Sequence, residues 1–126
     1  LVQRAHLTGR TLAGMQTGDA LRAFDFLYSR HGIDPRRIAI IGKGNAGVVA
    51  LYAAALEPRI SRVACHNTPA SYMEIVRAKM HQGITDIVVP GVLHDFDLPD
   101  VAASLAPRPV WKISEPDPDF AAWLNR

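Results

Sequence analysis

Gly42-Lys43-Gly44-Asn45-Ala46-Gly47 is the stretch of this chain whose spacing suits chemistry. It joins an apolar, isoleucine-rich run, Arg37 to Ile41, to an uncharged, proline-free run, Ala46 to Leu56. The first run predicts a buried strand stopped by Gly42, and the second a buried helix with Val48, Leu51, Tyr52 and Ala55 on one face. A strand that passes through glycines straight into a helix gathers backbone N–H groups and the positive end of a helix dipole at one spot. Two chemistries use such a turn. The six residues match G-x-G-x-x-G, the dinucleotide-binding fingerprint. They also fit the spacing of G-x-S-x-G, the turn that presents a nucleophilic serine, with Gly44 at the serine and Ala46 at the last glycine.

A dinucleotide site needs an acid about 20 residues beyond the glycines, at the end of the next strand, to hold the ribose. The next predicted strand ends Ala64-Cys65-His66-Asn67, without an acid. Such a fingerprint also opens its domain, whereas here a helix and a turn come first. A P-loop is excluded, because the Gly-Lys-Ser/Thr ending is missing. The glycines could still hold a plain anion.

Other reactive residues are weaker candidates. Cys65 and His66 could form a thiolate pair, but a small buried thiol at a strand end is the simpler role. His94, Asp95 and Asp97 offer one histidine and acids at mixed spacing, which reads as a solvated loop rather than a metal site. Ser71 suits a helix N-cap, and Ser114 falls on a loop. Lys43 reads as an exposed lysine that could meet an anion at the turn, and Trp111 and Trp123 as packing residues.

The elements that must position the turn follow from the rest of the pattern. Leu1 to Arg10 has no period and reads as an extended lead-in; Thr17 to Ser29 predicts a helix with an Ala20, Ala23, Phe24 and Leu27 stripe. Gly32 stops that helix, and Asp34-Pro35 launches the central strand. Beyond the Glu57-Pro58-Arg59 turn, strands are predicted at Ile60 to Cys65 and Val110 to Ile113. Helices are predicted at Ser71 to Met80, Leu98 to Leu105 and from Phe120, with an apolar segment at Asp86 to Leu93. This order is an α/β pattern: a parallel sheet of about three strands, flanked by helices. So few strands leave edges that need covering or pairing.

Composition sets the bounds. A chain of 126 residues is a single domain at most, with ordinary globular proportions of apolar and charged residues. Its net charge is +2, and the arginines are scattered without a basic run or aromatic platform, which argues against a nucleic-acid surface. One cysteine excludes an internal disulfide or a cysteine-based metal cluster. No apolar stretch approaches the ~20 residues of a membrane span. The chain opens on Leu1 without a signal-peptide pattern and reads as part of a longer protein.

Four blocks resemble the α/β-hydrolase superfamily: Gly9 to Met15, Asp19 to Ala23, Asp34 to Ile38 and Ala53 to Ile60. Within it the chain is most similar to acetyl xylan esterase-type and related peptidase-like hydrolases. Leu105-Ala106-Pro107-Arg108-Pro109-Val110 resembles the lead into the strand that presents the catalytic acid there. The resemblance implies cleavage of carboxylic esters, acetyl groups on polysaccharide among them, through an acyl-enzyme. It implies a small ester as ligand; the emptied glycine turn could instead hold a small carboxylate, and no cofactor or metal is expected.

Carried over residue by residue, the family pattern breaks at its nucleophile. The catalytic order is serine, acid, histidine. Gly44 stands at the serine position and has no side-chain oxygen; the acid position falls at Asp117, with Glu115 and Asp119 nearby. No histidine lies between Asp117 and Arg126. The oxyanion role needs only backbone, at Asn45 and Ala46. A nucleophile at such a turn is held at positive φ, a strain of about 1–3 kcal/mol for a non-glycine residue. Glycine takes that conformation without the Cβ penalty, so losing the serine keeps the turn while removing the chemistry.

Overall fold

The computed structural model describes residues 11–77, 87, 89–113 and 122–123. Thr11 opens helix α1 (Leu12–Ser29) as its N-cap, its side chain accepting the Gly14 N–H at 3.0 Å. The helix thus starts well ahead of the predicted Thr17. Its buried positions are Ala13, Thr17 and Phe24, with Ala20 and Leu21 packed against the core. That stripe leaves Ala23 and Leu27 exposed, contrary to expectation. At the other end Gly32, at φ +88°, carries the chain out of the helix as predicted.

Asp34 accepts the Arg36 N–H and begins a single 3-10 turn, Pro35–Arg37, that delivers strand β1 (Ala39–Lys43). Gly42 does not stop the strand. Gly42 and Lys43 continue the ladder opposite Cys65 and His66 of strand β2 (Arg62–His66). β2 is shifted towards its C-terminus relative to the predicted Ile60 to Cys65, since Ile60 packs in the core before the strand begins. Strand β3 (Val110–Ile113) has its predicted bounds and pairs in parallel with β2. The result is an α/β fold: a three-stranded parallel sheet in the order β1-β2-β3, with helices packed against it.

Helix α2 (Ala46–Leu56) has its predicted bounds, but it is buried on more than one face. Val48 and Leu51 are buried as expected, and so are Val49, Ala50, Ala53 and Ala54, whereas Ala55 is exposed. A run without polar residues carries no phase that could say which side faces out. Position decides it: α2 touches β1 and β2, α1, and helix α4 (Leu98–Ser104). Phe24, Leu51, Ala54, Val63, Cys65 and Leu105 close into one core around it. A second cluster, Val48, Tyr72, Ile87 and Leu98, seats helix α3 (Tyr72–Arg77), which Ser71 caps through the Glu74 N–H at 3.0 Å.

Strand alternation puts Ala39, Ile41 and Lys43 on the face away from this core. Ile41 is 52% exposed there, while Trp123 is buried against Trp111, ring centroids 5.8 Å apart. No described helix is long and apolar enough to cross a membrane. The lead-in Leu1 to Arg10, the part of the Ser71 to Met80 helix beyond Arg77, and Ser114, Glu115, Asp117 and Asp119 lie outside the described residues.

Candidate functional site at the strand-to-helix turn

Three hydrogen bonds set the rim on which the turn sits. The Gly44 N–H donates to the His66 carbonyl at 2.7 Å, tying the turn to the end of β2. The Asn67 N–H donates to the Ile113 carbonyl at 2.8 Å, tying the same rim to the end of β3. The Gly47 N–H closes the turn on the Gly44 carbonyl at 3.1 Å. The exits of all three strands therefore share the carboxyl edge of the sheet, where open α/β sheets bind ligands.

The three glycines of the turn serve different needs. A Cβ on Gly42 would lie 2.4 Å from the Ala46 carbonyl oxygen and 2.4 Å from the Gly47 Cα, so α2 can approach β1 only over a glycine. A Cβ on Gly47 would lie 1.8 Å from Thr68 Oγ1, in the loop after β2. Gly44 is the opposite case. Its φ is +61°, in the left-handed region, and a Cβ there would meet nothing within 4 Å. Position 44 thus has a backbone that favours glycine and open space for a side chain that glycine lacks. Asn45 and Ala46 follow in the first turn of α2, at the positive end of the helix dipole. Lys43 is exposed.

Residues 17–82, just over half of the chain, match the family model described as "Acetyl xylan esterase (AXE1)". The chain belongs to the acetyl xylan esterase family. The matched segment takes in the turn and most of α1, with β1, α2, β2 and α3. Among curated proteins the chain is 29% identical over 104 residues to "Putative hydrolase YtaP" of Bacillus subtilis (strain 168). The aligned part is 82% of this chain and 35% of YtaP, so the chain spans about a third of that relative. Family and relative agree on a hydrolase lineage for an α/β unit whose strand-to-helix turn carries Gly44.

The remaining candidates settle into packing or capping. Cys65 is buried, its thiol 3.6 Å from the Gly47 carbonyl, and burial pushes its pKa up against the pull of nearby Lys112. That makes a poor thiolate. Asp97 is more than part of a solvated loop. It caps α4 through the Leu98 N–H at 2.6 Å, and it also accepts the Tyr72 and Met73 N–H groups of α3 at 2.6 and 3.1 Å. Among the described residues no cluster suits a metal ion.

Two residues had no signal in the sequence. Thr68 touches the turn through Gly47, a contact that no local pattern announces. Arg108 reaches three carbonyls at the end of α2 and the following turn: Ala54 at 2.9 Å, Glu57 at 3.2 Å and Ile60 at 2.9 Å. The resemblance around Leu105 to Val110 flagged its neighbourhood but not this clamp.

Proposed function

We propose that this chain is an acetyl xylan esterase-family unit in which the turn that would carry the nucleophile is catalytically silent. The observation that supports it is Gly44: a positive φ and an open Cβ direction, at the position where a serine would stand. An acyl-enzyme needs an oxygen, sulfur or nitrogen nucleophile at that point, and glycine provides none. The acid role goes to Asp117, four residues beyond the β3 exit, and the oxyanion role to the backbone of Asn45 and Ala46. The ligand class that goes with this family is a small ester or carboxylate. Incubation with p-nitrophenyl acetate tests it: release no faster than with denatured protein is expected, and turnover well above that control would overturn it.

A second function fits the same glycine. With no side chain at position 44 the Cβ direction is empty, and an anion there, a dinucleotide phosphate included, would face the positive end of the α2 dipole. Titration with phosphate, acetate and NAD, followed through the amide resonances of Gly44 to Gly47, distinguishes these ligands from a turn that binds nothing.

A further inference from the structure

The sheet ends at β1, and its ladder fixes which backbone groups that edge presents. The Ser61 N–H donates to the Ile38 carbonyl at 2.9 Å, and the Gly44 N–H to the His66 carbonyl at 2.7 Å. With Ile38 and Gly44 bonded towards β2, strand alternation turns Ile40 and Gly42 the same way. Both the N–H and the C=O of Ala39, Ile41 and Lys43 therefore point away from β2, and no described strand pairs with them. The opposite edge is better protected. The Pro109 and Ile113 carbonyls accept from Val63 and Asn67 of the β2 side, so in β3 only Val110 and Lys112 point outward, and Lys112 is an exposed charge of the kind that guards an edge. At the centre of β1 stands Ile41, 52% exposed. In its row across the outer face, Ala64 is fully buried and Trp111 packs on Trp123, so the cover of that face stops short of Ile41. Unpaired backbone groups beside an exposed isoleucine are a template for another strand.

We propose that the β1 edge is a self-association surface, on which a second copy of this chain pairs β1 with β1, antiparallel, about a two-fold axis at Ile41. In that register every outward N–H meets an outward C=O. Ile41 lies opposite Ile41 of the partner subunit, the two Cα atoms about 5.5 Å apart, and each covers the other's exposed side chain. Lys43 lies opposite Ala39 of the partner subunit, whereas a parallel register would set two lysines side by side. The edge is complementary to itself, and that selects a second copy over an unrelated strand. Two-fold pairing uses both β1 edges and closes at two chains. The side chain missing at residue 44 plays no part, so the surface is independent of whether the turn is silent.

The test is sedentation equilibrium of the folded chain over a concentration series, with amide hydrogen exchange read residue by residue on the same samples. A monomer–dimer equilibrium is expected. The amides of Ala39, Ile41 and Lys43 should gain protection as the dimer fills, while those of Ile40 and Gly42, bonded to β2, should be protected throughout. Ile41→Pro removes only an outward donor and should weaken association about tenfold or more. Ile41→Lys sets like charges across the axis and should do the same, which keeps the test open if the proline variant does not fold. Ala39→Glu puts a carboxylate opposite Lys43 of the partner subunit and should tighten the dimer several-fold, a gain that Lys43→Met should remove. Lys112→Met, on the far edge, should change nothing. The proposal fails if the chain stays monomeric up to its solubility limit, if protection appears elsewhere than at the outward β1 amides, or if Ile41→Lys associates as the parent does. It fails also if Ala39→Glu does not tighten the dimer or if Lys112→Met dissolves it. None of these readouts depends on ester turnover, so failure here is distinct from failure of the silent-turn proposal.

Discussion

Gly47 and Thr68 are so close that a methyl group on the glycine would overlap the threonine hydroxyl at 1.8 Å. The first turn of α2 is thereby pinned to the loop after β2, while Gly42 lets the same turn rest on β1. The position of residue 44 on the rim is set from both sides. Gly47→Ala should cost about 3 kcal/mol by overpacking, measured by urea denaturation. Thr68→Ala added to it should recover part of that loss. Gly42→Ala should cost at least as much, with no recovery from a change at Thr68, because its clash is with backbone.

Position 44 should behave differently. Gly44→Ser meets no steric obstacle, so its cost should be confined to the positive φ, about 1–2 kcal/mol. The same denaturation experiment checks it; a loss as large as that of Gly42→Ala would mean that the space around residue 44 is filled. The serine alone should not create an esterase, since a nucleophile needs a base oriented beside it.

Arg108 holds the far end of α2. Three charge-assisted hydrogen bonds to the carbonyls of Ala54, Glu57 and Ile60 satisfy acceptors that the helix end leaves over. Arg108→Ala should lower stability by about 3 kcal/mol, and Arg108→Lys should keep only part of the clamp because one ammonium cannot span the fork. The denaturant midpoints of both variants provide the measurement.

Asp97 should make stability sensitive to acid. Burial alone would raise its pKa, but hydrogen bonds from the Tyr72, Leu98 and Met73 N–H groups win and hold it below its ordinary value of 3.8. A carboxylate depressed in the folded state contributes its full stabilisation above that value and loses it as pH falls further. Asp97→Ala should therefore cost about 2 kcal/mol near neutral pH, as two helix caps are lost together. Its acid-unfolding limb should be shallower than the parent's, as followed by circular dichroism between pH 5 and pH 2.

Much of this frame is legible in the sequence where local chemistry is unambiguous. The uncharged run bounded by glycines and Glu57-Pro58 marks α2 residue for residue, and Val110 to Ile113 marks β3. The start of α1 is not legible by period, because Gly14 and Gly18 interrupt the stripe and the signal is the Thr11 cap alone. Gly42 misleads in another way: it looks like a strand stop, yet it is a glycine because α2 passes over it. The contacts of Asp97 with α3 and of Thr68 with Gly47 join distant segments, and no local pattern encodes them. The proposal that Gly44 stands where a nucleophile would rests on the spacing of the Gly42 to Gly47 turn.

The most direct test of the proposed silent turn is covalent. A fluorophosphonate attacks the activated serine of a working hydrolase and adds its mass to that residue. Intact-protein mass spectrometry after such treatment should find this chain unmodified, with Gly44→Ser also unlabelled. A stoichiometric adduct on any serine of the parent chain would contradict a silent turn.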